Sequence, residues 1–79
     1  MIEPSPENAR KYGLTLRQLE VVSLVERRFN RASIAAYLGI SLQSTRDIIG
    51  GLCDFYGCPT QDLPARVLAS GESENSEVT

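Results

Sequence analysis

Residues 31–50 read RASIAAYLGISLQSTRDIIG. Ile34, Ala35 and Leu38 recur at helical spacing and predict a short helix over 31–38. Gly39 follows, where a residue with positive φ ends a helix without a Cβ clash. Ser41 is then a ready N-cap for a second helix. Thr45, Ile48, Ile49 and Leu52 carry that helix over 41–56, and Gly57 and Pro59 end it. Ala35 is small where the second helix must cross the first closely. Ile34, Leu38, Ile40 and Ile48 supply the apolar contacts between the two.

Upstream, Thr15 and Gln18 have the spacing of a capping box. Leu16, Leu19, Val22 and Val25 then form an apolar stripe, widened by Val21 and Leu24, which predicts a helix over 15–28. Downstream, Leu63, Val67 and Leu68 predict a last helix over 61–70, stopping before Gly71. No segment alternates with period two for long enough to be a strand. The expectation is therefore an all-α domain of four helices over residues 13–70. Its expected core is Leu19, Val22, Ile34, Ala35, Leu38, Ile40, Ile48 and Leu52. Residues 1–12, with Pro4, Ser5 and Pro6, read as a flexible arm, and 71–79 as a disordered acidic tail.

Composition narrows the function. A chain of 79 residues buries a limited core and leaves little room for a substrate cleft, which argues against an enzyme. No apolar run approaches the roughly 20 residues of a membrane span, and residues 1–12 lack the apolar stretch of a signal peptide, so the expected compartment is the cytoplasm. Cys53 and Cys58 stand without any histidine, too few ligands for zinc. They read as small buried hydrophobes, with no metal and no cofactor expected. Ser44 has no histidine base beside it, and Asp47 and Asp54 have no nucleophile or metal partner, so neither suggests catalysis.

The net charge is −2, but its distribution is uneven. All eight basic residues lie between Arg10 and Arg66, with five acids among them, so that stretch carries +3. The tails carry Glu3, Glu7, Glu72, Glu74 and Glu77. A mildly basic body and a helix, a tight turn and a second helix over 31–50 together have the spacing of a helix-turn-helix.

The flanks extend that pattern. Leu14-Thr15-Leu16-Arg17-Gln18-Leu19-Glu20-Val21, then Ile34-Ala35 with Leu38-Gly39-Ile40-Ser41, then Ser44-Thr45-Arg46, then Tyr56-Gly57 resemble the LuxR-type DNA-binding domain in order and spacing. The resemblance covers about residues 13–69 and is to the short, stand-alone form of that family. It implies a four-helix regulator of transcription whose third helix enters the major groove of double-stranded DNA. Carried over by position, the DNA-facing residues are Ser41, Gln43, Ser44, Arg46 and Asp47, with Arg31 at the start of the preceding helix. Gln43 suits adenine, Arg46 suits guanine or a phosphate, and the serines suit phosphates. Gln43 and Ile48 depart from the family's usual lysine and histidine, and Asp54 and Phe55 stand where its third helix often turns basic. The resemblance also implies a weak homodimer through the last helix, on Leu63, Val67 and Leu68. The alternative reading is a helix-turn-helix that docks on a protein partner, such as transcription machinery or another regulator, without tight DNA binding of its own.

Overall fold

The computed structural model describes residues 2–78, with side chains described over 2–71. Short-range capping explains where each helix begins. Thr15 accepts from the backbone N–H of Gln18 at 3.1 Å while the Gln18 amide oxygen accepts from the Thr15 N–H at 2.9 Å, so the expected capping box opens α2, Leu16–Glu26. The Asn30 side chain caps α3, Arg31–Leu38, through the Ser33 N–H at 2.8 Å. Gly39 ends it in the left-handed region, at φ 68°. The Ser41 hydroxyl accepts from the Ser44 N–H at 3.0 Å and opens α4, Leu42–Tyr56, which Gly57 ends at φ 65°. A 3₁₀ turn at Thr60–Asp62 leads into α5, Leu63–Val78.

One further helix precedes these. α1, Pro6–Tyr12, occupies part of the stretch expected as a flexible arm over 1–12. The Ser5 hydroxyl caps it through the Asn8 N–H at 3.2 Å, and Pro6 stands at its start, where a missing N–H costs nothing. Ser and Pro here are helix-opening residues, not loop formers. Ala9 is buried on its inner face, and Ile2 ahead of it is only 3% exposed. The Ile2 N–H donates to the Glu26 carboxylate at 2.6 Å, which ties the start of the chain to the end of α2.

The described residues thus form five α-helices and no strand, where four helices were expected. α2 is central and packs against each of the other four. Its Leu19, Val21 and Val22 are fully buried, along with Ile34 of α3, Thr45, Ile49 and Leu52 of α4, and Leu63 and Val67 of α5. Of the expected core, Leu38, Ile40 and Ile48 are only half-buried, and Ile49 takes the inner position on α4. Thr45 is tolerated inside because its hydroxyl donates to the Ser41 carbonyl one turn earlier, at 3.1 Å.

α5 does not stop before Gly71. A Cβ at Gly71 would lie 2.7 Å from Cε1 of Tyr12, so this glycine lets α1 and α5 approach closely instead of breaking the helix. Of the residues expected as a tail over 71–79, the side chains beyond Gly71 lie outside the described residues. α2 also ends earlier than expected, because Arg28 adopts φ 71° and turns the chain toward Asn30.

Candidate nucleic-acid interface

The site follows from how α3 and α4 are joined. Gly39 donates to the Ala36 carbonyl and Ile40 to the Ala35 carbonyl, so the chain reverses within a single tight turn. α4 then buries Thr45, Ile49 and Leu52 against α2 and α3, which points the opposite side of its first turns outward. Ser41, Gln43, Ser44, Arg46 and Asp47 are all exposed there, and Arg31 is exposed at the start of α3. Every residue singled out as DNA-facing therefore lies on the surface.

Their local bonds divide them. The Ser41 hydroxyl accepts from the Ser44 N–H and donates to the Ser44 hydroxyl at 2.9 Å, so its first task is the cap. The Gln43 amide donates to the Asp47 carboxylate at 2.9 Å, one turn along. An adenine contact by Gln43 thus requires exchange of that bond. Arg46 has no ion pair among the described residues. Arg31 reaches the Thr60 hydroxyl at 3.4 Å, and that hydroxyl lies 3.6 Å from Sγ of Cys53.

Arg31 and Arg46 thereby share one cleft. It runs between the start of α3, the outer side of α4 and the 3₁₀ turn, and its other lining residues are Ile49, Gly50, Cys53 and Thr60. No carboxylate lines it among the described residues. Thr60, Cys53 and Gly50 carried no local sign of this role in the sequence. Thr60 lies 29 positions from Arg31, and only the path of the chain past Pro59 brings it there.

The proposed pairing surface is arranged differently. Leu63 and Val67 are both 0% exposed and close the core of the single chain. In the single chain neither offers surface to a second copy. Leu68 is half-buried, on the rim of a cleft with Val25 and Arg28.

Both cysteines are free thiols, Cys58 buried and Cys53 half-buried. Burial pushes the Cys58 thiol above its ordinary value, with Arg66 opposing and Cys53 and Asp62 adding to the rise. Burial likewise raises Tyr56, whose hydroxyl has no hydrogen-bond partner among the described residues. No group of three or more His, Cys, Asp or Glu among the described residues is placed to hold a metal ion. No described helix is long and apolar enough to cross a membrane. No protein-family model, no curated protein and no solved structure matches this chain.

Proposed function

We propose that this chain is a LuxR-type helix-turn-helix regulator of transcription that binds double-stranded DNA with the outer face of α4. One observation carries the reading. α3, the left-handed Gly39 and the Ser41-capped α4 form a tight two-helix unit whose buried side is apolar and whose free side presents Gln43, Ser44, Arg46 and Asp47. A single α-helix offered in this way is the element that fits a major groove. Arg31 and Arg46, which have no ion pair among the described residues, supply cations for the phosphates beside it. Such a role belongs in the cytoplasm and needs no cofactor.

The test is fluorescence anisotropy of a labelled random duplex with increasing protein at about 50 mM salt. Binding with a Kd near the non-specific range of about 1–100 µM, weakening as salt rises, supports the reading. Absence of any anisotropy change at about 100 µM protein overturns it.

A second reading has its own observation. Phe55, on the C-terminal half of α4, is 76% exposed and stacks edge-to-face on Tyr56 with ring centres 5.0 Å apart. An exposed aromatic next to Asp54 suits a protein partner better than a phosphate backbone. Under this reading Phe55→Ala abolishes capture of the partner while leaving duplex binding unchanged.

A further inference from the structure

We propose that the cleft between α3, α4 and the 3₁₀ turn is a phosphate-binding site, in which Arg31, Arg46 and Thr60 hold one backbone phosphodiester of the bound duplex over Gly50. The source of the phosphate rests on the DNA-binding reading above; its chemistry rests on the cleft alone.

Three observations meet here. First, two arginines line one cleft that has no carboxylate residue among its described lining, in a chain whose net charge is −2. Like charges placed together without a counter-ion raise the energy of the free protein, and an anion between them is the complementary occupant. A phosphodiester offers two non-bridging oxygens, which match the parallel N–H donors of an arginine fork. Secondly, among the described residues the side chain of Arg31 makes one hydrogen bond, the long one to Thr60 at 3.4 Å. It holds the arginine at the cleft and is weak enough to yield to a charged acceptor. The Thr60 hydroxyl is then a third donor.

Thirdly, Gly50 has no role in the fold. It sits inside α4 in ordinary helical geometry, exposed, and an added Cβ there would meet nothing within 4 Å. Neither positive φ nor close packing requires glycine, and glycine weakens a helix interior relative to alanine. What the missing side chain does is leave the cleft open between Arg46 and Cys53. Gly51 is equally exposed and equally unconstrained but lies outside the cleft, which makes it the internal control.

The experiment compares the parent chain with Gly50→Ala, Gly50→Leu, Gly51→Ala and Arg31→Gln. Each is followed by thermal melting, by anisotropy of a labelled 20-base-pair duplex over a salt series, and by ¹⁵N chemical shifts during titration with inorganic phosphate. Gly51→Ala should bind as the parent does. Gly50→Ala should melt as high as Gly51→Ala yet bind the duplex about three- to tenfold more weakly, and Gly50→Leu more weakly still. Arg31→Gln should reduce the slope of log K against log salt by about 0.9, one phosphate contact. A folded Gly50→Leu chain with parental affinity and salt slope overturns the phosphate site while leaving DNA binding in place. If the parent binds no duplex, the DNA reading and the duplex source fail together, and the phosphate titration decides the rest. Saturable shifts at the Gly50 and Thr60 amides, lost in Arg31→Gln, support a site for a free phosphate group. No such shifts overturn the site altogether.

Discussion

The register of α4 decides which side chains face outward, and replacing Ile48 and Ile49 one at a time tests it directly. Ile49 is 2% exposed and belongs to the core, whereas Ile48 is half-buried at its edge. Ile49→Ala removes three buried carbons at about 0.8 kcal/mol each, or about 2.4 kcal/mol of transfer free energy. The cavity left between α2 and α4 adds to this and brings the expected loss to about 3–4 kcal/mol. Ile48→Ala loses less buried area and leaves a dent open to solvent, so about 1 kcal/mol is expected. A chain of 79 residues has a total stability of about 4–12 kcal/mol, so the first variant loses a large share of it and the second does not. At about 4–8 °C per kcal/mol, the melting temperatures of the two should differ by about 10 °C or more. Circular dichroism at a helical wavelength, with urea melts to check the free energies, gives both numbers. Equal losses, or a larger loss for Ile48→Ala, would mean that α4 is rotated by about one residue. Gln43, Arg46 and Asp47 would then no longer share the outward face, and the proposed interface would lose its geometric basis.

Further outcomes follow from other parts of the fold. Leu63→Ala should cost about 2–5 kcal/mol, by an amount independent of protein concentration, because Leu63 lies in the core of a single chain; a loss that vanishes on dilution in sedimentation and melting would restore its pairing role. Arg28→Gly should raise stability by about 0.5–1 kcal/mol in thermal melts, since it relieves a non-glycine residue at φ 71°, and a lower melting temperature would contradict that. Alkaline titration should be sensitive to Cys58: burial raises its thiol above the ordinary value, so the folded chain holds its proton longer than the unfolded one. Stability is then full below the ordinary thiol value of about 8.5 and falls as pH rises through the raised value, and Cys58→Ala should flatten the first part of that fall. A parent curve and a Cys58→Ala curve of identical shape between pH 8 and 11 would refute the link (range set by ordinary thiol and phenol values of about 8.5 and 10).

Helix boundaries set by capping were legible in the chain itself. Thr15 with Gln18, Gly39, Ser41 and Gly57 perform the roles that their types and spacing announce, because a cap is an interaction across three or four residues and needs no distant partner. The same local logic applies to Ser5, Pro6 and the C-capping Gly13, but Pro4, Ser5 and Pro6 together also carry the signature of a loop, which hides α1. The exposure of Arg31, Gln43, Ser44, Arg46 and Asp47 was also legible, since polar residues at helical spacing opposite an apolar stripe face water.

What tertiary structure decided is which apolar residues are inside and which distant groups meet. A stripe of Ile48, Ile49 and Leu52 does not say which edge turns inward; the position of α2 against α4 does, and it selects Ile49. Leu63 and Val67 on a short helix suit a dimer or a core equally well, and only the packing of α5 against α2 assigns them to the core. Gly71 signals a helix end until the Tyr12 ring, 59 residues earlier, is seen to need its space. Ile2 on Glu26, and Arg31 beside Thr60, are likewise contacts across 24 and 29 positions. Their partners are chosen by the path of the whole chain, because burial and electrostatic complementarity act through space while periodicity and capping act along the sequence.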